Sequence, residues 1–344
     1  MGSGSCIIEK EEIAEEDAVG EEQIVFLGED DFLPGMEGTN KAWREQSVVS
    51  GDLRTSDGLS LRYYYAIPES PKAAVTIIHG FCEFFIKYHE LAWYLYRSGF
   101  AFFFLEQRGH GYSEGKLKEA DVVYIDRYET YLSDQKSFLD QVVFPKTEGL
   151  KKLLFAHSMG GAVGTLLLEA FPQYFEAAVL SSPMLRMKAG HYPPPAVAMM
   201  RLYMRLTGKS NQIAPGQHHF SGVPSFETSS SLSKARYEYQ FNARLADPHY
   251  QMYGASFSWA AASLTATHQL LKKSGLIRIP VTLLTAGDDH LIDPEGYRIF
   301  LEKVSQTKRI HYETARHELF NADDENRRKY FSDLLEALNG YCAG

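Results

Sequence analysis

The sequence predicts an α/β protein with a mostly parallel central sheet, helices on both faces and an inserted, mainly helical cap. Short β-branched and aromatic runs alternate with longer amphipathic stretches, which is typical of a sheet built from strand–helix–strand units. Residues Ala73–Ile78 are apolar or β-branched throughout, as in a strand buried on both faces. The alternation stops between residues 183 and 274. A structureless loop of that length is implausible in a compact domain, so we predict a cap there.

Before the break, the elements follow in a regular order. Glu45–Val49 and Leu59–Ala66 are predicted to pair as a hairpin around Ser56-Asp57-Gly58, which has turn-forming residues. The elements predicted next are the strand Ala73–Ile78, the helix Tyr88–Arg97, the strand Ala101–Glu106, the helix Ile125–Val143 ended by Pro145, the strand Lys152–Ala156, an apolar helix and the strand Ala177–Leu180.

After the break the same rhythm returns. It predicts the strand Ile279–Thr285, a helix over Pro294–Val304, the strand Arg309–Glu313 and a last helix over Asp324–Leu338. The predicted organisation is an acidic, flexible tail (1–31), a core in two parts (32–182 and 275–344) and a cap (183–274).

The acidic charge is concentrated in one segment. The chain has a formal charge of -9, and Met1–Asp31 holds 11 acidic residues against Lys10 alone. The rest of the chain is therefore close to neutral and gives no electrostatic reason to expect nucleic acid as a partner. No feature of the sequence indicates an obligate protein partner.

Cysteine content and hydropathy bear on the compartment. Cys6, Cys82 and Cys342 are too few and too scattered for a disulfide framework or a zinc site, and His218-His219 lacks companion metal ligands. No run approaches the roughly twenty apolar residues of a membrane span, and the first residues lack the apolar region of a secretion signal. We expect a cytoplasmic protein that can contact the inner face of the membrane and needs no metal or organic cofactor.

A candidate nucleophile lies at a strand-to-helix turn. Residues Lys151–Leu168 read KKLLFAHSMGGAVGTLLL, where a β-rich run becomes an apolar helix at Ser158. An attacking serine must stand on a turn so tight that its neighbours carry almost no side chain, and Gly160 and Gly161 meet that need. Ala156 replaces the first glycine of G-x-S-x-G, which is tolerable if helix and strand lie slightly apart. An ordinary buried serine at such a turn is the alternative.

Carboxylates follow the strand Ile279–Thr285. A serine nucleophile needs one acid to orient its histidine, and we predict Asp289 for that role because it lies just past the strand end. Asp293 precedes Pro294 and is expected to cap a helix, whereas Asp288 is expected to face solvent.

The base and the oxyanion donors are predicted at two other strand ends. His317 follows the strand Arg309–Glu313 and is the predicted base, because His311 lies within that strand and His290 lies beside the acid. The backbone N–H groups of Phe81 and Met159 are predicted to converge on a developing oxyanion. The order serine, acid, histidine at successive strand ends is that of the α/β-hydrolases.

Six motifs support this assignment. They are HG-F-x-E from His79, QRGHGYS from Gln107, AHSMGG at the elbow, Ser182-Pro183-Met184, Gly287-Asp288-Asp289 and Arg316-His317-Glu318-Leu319. Together they resemble the monoacylglycerol lipase and bacterial lysophospholipase group of α/β-hydrolase serine hydrolases, from about Trp43 to the C-terminus. Glu106 stands where that family usually has Asp, a change expected to affect loop packing more than catalysis.

The resemblance implies an ester hydrolase acting on lipids with one acyl chain. The residues alone imply acyl transfer through a Ser158 acyl-enzyme, with His317 as base and then acid, Asp289 holding its tautomer and water as the second nucleophile. The alternatives are a carboxylesterase or thioesterase of small or non-lipid substrates and a binding protein that kept the fold without catalysis.

The substrate hypothesis depends on the cap. Pro193–Leu206 predicts an apolar helix whose only charges are Arg201 and Arg205, an i,i+4 pair. A buried structural helix explains the apolar residues equally well. The sharper hypothesis is that the helix lines or shields an acyl tunnel, and that its arginines meet phosphate head groups or an anionic bilayer. The cap residues predicted to bind substrate are Met200, Tyr203, Met204, Arg201 and Arg205.

Overall fold

The computed structural model describes residues 24–188 and 192–343, and this part of the chain contains ten strands. They are β1 (Val49–Arg54), β2 (Ser60–Ala66), β3 (Ala73–Ile78), β4 (Phe100–Leu105), β5 (Val122–Val123), β6 (Lys152–His157), β7 (Ala177–Ser181), β8 (Gly254–Ala255), β9 (Val281–Asp288) and β10 (Thr307–Arg316).

Eight of these strands form one sheet in the order β1-β2-β4-β3-β6-β7-β9-β10. The pairs β1–β2 and β2–β4 are antiparallel, and all pairs from β4 to β10 are parallel. Every side chain of β3 and β4 is buried, as their continuous apolar sequences predict for central strands. The mostly parallel sheet predicted from the sequence is confirmed, and β5 pairs with β8 in a separate two-stranded sheet.

The helices of the described residues follow the same chain order. They are α1 (Phe32–Gly35), α2 (Lys41–Ser47), α3 (His89–Arg97), α4 (Tyr128–Phe138), α5 (Phe144–Lys146), α6 (Met159–Ala170), α7 (Pro194–Leu206), α8 (Lys234–Ala246), α9 (Phe257–Lys273), α10 (Pro294–Lys303) and α11 (Asp324–Ala343).

Side chains of each central strand alternate between two apolar cores. In β6, Leu154 and Ala156 join the core that contains residues of α4, α6, α9 and α10. Leu153 and Phe155 join the opposite core, which contains residues of α3 and α11. Helices therefore cover both faces of the sheet, and the carboxyl ends of the parallel strands open at one edge.

Two predicted boundaries near the first strands and helices are wrong. The segment predicted as the strand Glu45–Val49 is mostly α2, and β1 begins later and pairs Leu53 with Leu61. The sequence of β1, VSGDLR, has weak strand propensity, and a Cβ at Gly51 would lie 2.3 Å from the Tyr63 Oη, so a larger residue there would require the Tyr63 side chain to move.

Pro145 does not end the helix that begins at α4. A π-helical turn at Leu139–Val143 joins α4 to α5, and Pro145 lies in the first turn of α5. The helix ends at Lys146, one residue after the proline.

The predicted flexible tail extends too far. Residues 1–23 of it lie outside the described residues, but residues 24–31, which we call the N-terminal strap, pack against the body. The Phe26 ring lies 5.1 Å from the ring of Tyr94 and 5.6 Å from that of Phe331, and the Leu27 N–H donates to the Tyr94 Oη at 2.7 Å. These contacts join distant parts of the chain, which a local composition pattern does not reveal.

Between β7 and β9 the chain forms α7, α8 and α9, so the longest elements of this interval are helices. Treating it as a cap distinct from the core remains our proposal. Within the described ranges, no helix combines the length and apolar character needed to cross a bilayer.

Candidate active site

Ser158 occupies the turn between β6 and α6. Its backbone has φ 52° and ψ -120°, a left-handed conformation that is strained for any residue other than glycine. The Ser158 N–H donates to the Ser181 carbonyl at 3.1 Å, and the Ser158 carbonyl accepts from the N–H groups of Gly161 and Met184, both at 2.8 Å. These bonds hold the strained turn and project the side chain beyond the sheet edge.

Space behind the turn is minimal. A Cβ at Gly160 would lie 2.1 Å from the Ile78 carbonyl oxygen, and a Cβ at Gly161 would lie 2.4 Å from the Pro183 Cβ. Both glycines that the sequence predicted for the elbow are therefore required by close approach to neighbouring backbone and proline.

The three predicted triad residues come together in one hydrogen-bond chain. The Ser158 Oγ lies 2.8 Å from the His317 Nε2, and the His317 Nδ1 lies 2.7 Å from the Asp289 Oδ2. His317 and Asp289 are buried, whereas Ser158 is partly exposed. A neutral imidazole that donates from Nδ1 to Asp289 presents Nε2 as the acceptor of the serine proton, which is the geometry of a nucleophile with its general base.

Asp289 is held by two loop amides. Its Oδ1 accepts hydrogen bonds from the N–H groups of Leu291 at 2.9 Å and Ile292 at 3.1 Å. Burial alone would raise the pKa of the Asp289 carboxyl, but the His317 charge and hydrogen bond, together with the two loop N–H groups, hold that pKa below its usual value. The acid therefore remains an anion beside the imidazole.

The other two aspartates of the loop have the surroundings expected from the sequence. Asp293 accepts from the Glu295 N–H at 3.0 Å, so it caps α10, and it pairs with Arg186 at 2.9 Å. The Asp288 side chain is 73% exposed.

The alternative histidines make no hydrogen bond to the nucleophile among the described residues. His311 is hydrogen-bonded to Thr285 at the edge of the sheet, and its Nε2 lies 3.1 Å from Glu313. The His290 side chain is exposed.

Phe81 and Met159 retain free N–H groups. Among the described residues neither N–H donates to a protein acceptor, whereas the preceding Gly80 N–H is taken by the Glu83 Oε2 at 2.5 Å. Unpaired donors on the turn beside a nucleophile suit an oxyanion hole. Their role in catalysis stays a prediction.

A buried ionic network lies beneath the triad, and sequence reasoning missed it. The Lys87 Nζ lies 2.6 Å from both the Glu83 Oε1 and the Glu318 Oε1, and the Tyr88 hydroxyl donates to the Glu83 Oε2 at 2.5 Å. Burial lowers the pKa of the adjacent His157 to about 4, so that ring is neutral. The i,i+4 spacing of Glu83 and Lys87 was the available signal.

Glu106 organises the loop that follows β4. Its Oε2 accepts from the Tyr112 N–H at 2.7 Å and its Oε1 from the Phe85 N–H at 3.2 Å. A Cβ at Gly111 would lie 2.1 Å from the Glu106 Cδ, so the glycine makes room for the longer acid. Burial raises the pKa of Glu106 to about 7. These contacts place Glu106 in loop packing, away from the hydrogen-bond chain of Ser158.

The predicted cap residues divide between two faces of α7. Met200, Arg201, Met204 and Arg205 line a cavity of about 480 Å³ between α7, α9 and the loop before α4. Tyr203 does not line it and, like Met199 and Leu206, is exposed on the outward face of the helix, whereas Leu202 is exposed and also lines the cavity. That Tyr203 binds substrate stays a prediction, and Arg201 is already bonded to the Asp126 carbonyl at 2.7 Å.

A second cavity of about 350 Å³ is lined by chain neighbours of two triad residues, and the sequence did not indicate it. Its wall includes His290 and Glu318, the chain neighbours of Asp289 and His317, together with Lys87 and Arg244. The opposite wall is rich in hydroxyls, and we call this space the hydroxyl cavity. Its hydroxyl-bearing residues are Ser221, Ser225, Thr228, Ser229, Ser230, Ser231, Tyr237 and Tyr253. Within the described ranges, no cluster of side chains could hold a metal ion.

Comparisons with known proteins agree with the geometry. Residues 69–324 match the protein family Hydrolase_4, described as serine aminopeptidase, S33. The chain is 26% identical to lysophospholipase L2 of Escherichia coli K12 over 260 residues, 76% of each chain, and 28% identical to human monoglyceride lipase over 298 residues, 84% of this chain and 91% of the other.

Solved structures show the same fold. A soluble variant of monoglyceride lipase from Saccharomyces cerevisiae superposes with a TM-score of 0.67 at 19% identity, covering 86% of this chain and 96% of the other. A carboxyl esterase from Bacillus coagulans gives a TM-score of 0.70 at 15% identity, covering 86% of this chain and 99% of the other. The α/β-hydrolase fold expected from the sequence is thus confirmed.

Proposed function

Because the chain belongs to the Hydrolase_4 family and is a serine ester hydrolase, we propose that it cleaves the carboxylic ester of lipids with a single acyl chain, a lysophospholipid or a monoacylglycerol. The observation that carries the reaction is the continuous hydrogen-bond chain from Ser158 through His317 to Asp289. The substrate class is supported by relatives named lysophospholipase and monoglyceride lipase, which this chain matches over most of its length.

The first half of the proposed reaction forms an acyl-enzyme. The His317 Nε2 takes the proton of the Ser158 hydroxyl as Oγ attacks the ester carbonyl carbon, and the carbonyl oxygen becomes an oxyanion facing the N–H groups of Phe81 and Met159. The C–O bond to the alcohol then breaks. His317 gives its proton to the departing alcohol oxygen, so the acyl group remains on Ser158.

Water completes the cycle. His317 removes a proton from a water molecule as its oxygen attacks the acyl carbon, and the second tetrahedral oxyanion collapses to release a fatty acid. His317 returns the proton to the Ser158 Oγ. Asp289 keeps Nδ1 protonated throughout and offsets the positive charge that the ring carries in both transition states.

The hydroxyl cavity is our candidate for the alcohol part of the substrate. Its lining includes His290 and Glu318, and Glu318 directly follows the histidine that must protonate the departing alcohol. Its many hydroxyls offer hydrogen bonds to a polar, glycerol-containing head group, and its volume of about 350 Å³ suits a small one.

The outward face of α7 supports contact with a membrane. Met199, Leu202, Tyr203 and Leu206 are 68%, 58%, 58% and 78% exposed, and their i, i+3, i+4, i+7 spacing forms one apolar stripe. Arg205 is also exposed on this helix. An amphipathic helix with apolar and basic side chains at the surface binds the head-group region of an anionic bilayer. We therefore extend the proposal to peripheral binding through the cap.

A panel of substrates tests the reaction and the substrate class. The panel contains acyl glycerols from acetyl to palmitoyl, a lysophosphatidylcholine and an aminoacyl anilide, with Ser158→Ala as the matched inactive variant. Burying each methylene is worth about 0.8 kcal/mol, so kcat/KM should climb steeply with chain length until the acyl site is full. Ser158→Ala should remain folded and lose both hydrolysis and labelling by a fluorophosphonate.

Other outcomes identify the alternatives. Best activity on acetyl esters indicates a small-substrate carboxylesterase. Cleavage of the anilide without cleavage of esters indicates a peptidase, as the family description would have it. Full labelling of Ser158→Ala at another residue contradicts the assigned nucleophile.

The membrane contact is tested separately on vesicles. Leu202→Ser/Leu206→Ser should weaken hydrolysis of lipid presented in anionic vesicles while leaving hydrolysis of a soluble ester unchanged. Leu245→Ser is the matched control, since Leu245 is an exposed leucine of α8 outside the stripe. Equal losses on vesicles and on soluble ester would assign α7 a structural role instead.

A further inference from the structure

Arg244 reaches from α8 to the loop that carries Phe81. Its Nη2 donates to the Cys82 carbonyl at 2.5 Å, and its Nη1 donates to the carbonyls of Met252 at 2.6 Å and Tyr250 at 3.0 Å. In the described part of the chain, all its hydrogen-bond acceptors are main-chain carbonyls. The planar guanidinium fork suits three fixed acceptors better than an ammonium group does.

The loop it contacts is under strain. Cys82 has φ 57°, a left-handed conformation that a residue with a Cβ adopts only when its surroundings impose it. The guanidinium carbon of Arg244 lies 5.0 Å from the centre of the neighbouring Phe84 ring, so arginine packs on this loop as well as bonding it. Cys82 itself is buried.

Phe81 lies between two fixed points. On one side the Gly80 N–H is bonded to the buried Glu83 of the same loop, and on the other side the Cys82 carbonyl is bonded to Arg244 from α8. The Phe81 ring contacts Trp259 of α9, with ring centres 4.2 Å apart. The orientation of the unpaired Phe81 N–H is thereby set by one bond within the loop and by contacts from the helices between β7 and β9.

We propose that Arg244 is a positioning residue for catalysis: by holding the Cys82 carbonyl, it keeps the Phe81 N–H directed at the transition-state oxyanion. The inference rests on the proposed acyl-transfer function and adds a dependence of catalysis on the cap. A preorganised donor acts only where charge develops, so its misplacement slows turnover and leaves ground-state binding largely intact. When α8 is not seated against the loop, the active site is incomplete.

The test compares variants of Arg244 on a soluble activated ester, whose cleavage measures acyl transfer without a lipid surface. Arg244→Met should lower kcat by about tenfold to a hundredfold with KM changed less than about twofold, because misplacing one oxyanion donor should cost less than removing it, which typically costs about a hundredfold to a thousandfold. Arg244→Lys, which keeps one or two of the bonds, should recover part of that loss. The inhibition constant of an alkyl boronate, whose adduct is tetrahedral, should rise by the same factor as kcat/KM falls.

Arg236→Lys is the matched control, because Arg236 is a buried arginine on the same helix that bonds Glu90 and not the loop. It should lower the midpoint of urea unfolding without changing kcat. Arg244→Ala adds an independent readout: guanidinium at millimolar concentration should restore its kcat, and sodium at equal ionic strength should not. This rescue distinguishes positioning from misfolding even if Arg244→Met is unstable.

Three outcomes would overturn the inference. Equal losses of kcat in Arg236→Lys and Arg244→Lys would indicate that Arg244 has only a structural role. An increase in KM limited to anionic lipids, with kcat unchanged, would make it a head-group ligand of the hydroxyl cavity. An unchanged inhibition constant for the boronate would show that Arg244 does not position the oxyanion donor. A different result would contradict the proposed function, namely full activity in Ser158→Ala.

Discussion

Ala156 and Gly164 face each other across the junction of β6 and α6. A Cβ added at Gly164 would lie 3.0 Å from the Ala156 Cβ and 3.2 Å from the Leu154 Cδ2. The usual elbow pattern places a glycine at position 156, and here the glycine is on the helix instead. The methyl of Ala156 thus occupies space that Gly164 leaves open, so the helix does not need to stand away from the strand, as the sequence alone suggested.

This pairing predicts energetic coupling between the two positions. Gly164→Ala should lower the free energy of unfolding by about 1 to 2 kcal/mol, because overpacking outweighs the gain in helix propensity. Adding Ala156→Gly should recover part of the loss, with a coupling of about 0.5 kcal/mol or more in a double-mutant cycle measured by urea unfolding.

Gly340→Ala is the control for helix propensity, since Gly340 lies in α11 with nothing within 4 Å of an added Cβ. That variant should be as stable as the wild type or more stable. Strict additivity of Gly164→Ala and Ala156→Gly would show that the two positions do not share space.

The parallel strands and the triad could be predicted because their signals are local. A buried strand is a short apolar run, and the three triad residues each follow such a run at its carboxyl end. The helix α7 was found for the same reason, but its sequence alone did not distinguish the buried face from the exposed one. Tyr203 shares the apolar character of Met200 and Met204, and only packing against α9 decides which of them is buried.

What could not be predicted depends on contacts between distant residues. β1 has weak strand propensity and is recognisable only by its pairing with β2. The N-terminal strap is acidic like the residues before it, and its packing requires partners more than 60 residues away. The clamp of Arg244 on Cys82 spans 162 residues and involves carbonyls, which every residue possesses. No local pattern marks such an acceptor.

The three loop aspartates should differ sharply in their effect on catalysis. Asp289→Asn should lower kcat on a soluble ester by about four decades, because an amide cannot hold the His317 tautomer or offset the imidazolium charge. Asp288→Asn should be close to wild type, since that side chain is 73% exposed. Asp293→Asn keeps a capping side chain and should change stability by less than about 1 kcal/mol. Should Asp293→Asn prove the most damaging, Asp289 is not the orienting acid.

Glu169 should make stability depend on pH. Burial raises the pKa of this α6 carboxyl to about 8, although Lys273 and Lys303 act to lower it, and its Oε1 has no hydrogen-bond partner among the described residues. The unfolded chain ionises near the usual glutamate value of about 4.3. The folded protein therefore binds the extra proton between these values, and the associated stability, complete below the lower pKa, is lost as pH rises through the higher one.

Glu169→Gln removes this dependence. Because the side chain is only partly buried, we discount the full shift and expect the variant to exceed the wild type by about 1 kcal/mol at pH 9 and by almost nothing at pH 4.5. Urea midpoints at the two pH values measure the difference, and Glu69→Gln, at an exposed position, is the control. A constant difference across this range would contradict the buried, protonated carboxyl.

The N-terminal strap is held by buried arginines from two helices. Arg236 of α8 bonds Glu90 through Nε at 2.7 Å and Nη2 at 2.6 Å, and its Nη2 also donates to the Leu27 carbonyl at 3.2 Å. Arg327 of α11 donates to the same carbonyl at 2.6 Å. Glu29 of the strap accepts from the Ser233 hydroxyl and the Ala235 N–H, so it caps α8 from outside. The strap thereby ties α8 to the body.

Arg236→Met should therefore be among the most destabilising single changes outside the triad. It leaves the buried Glu90 carboxylate without its bidentate partner, which typically costs about 3 to 5 kcal/mol of unfolding free energy. Adding Glu90→Gln should recover much of that loss, because the uncompensated charge is then removed, whereas Glu90→Gln alone should be destabilising. Urea unfolding of the four proteins measures the cycle. A loss below about 1 kcal/mol in Arg236→Met would show that the pair is open to water and that the strap does not depend on it.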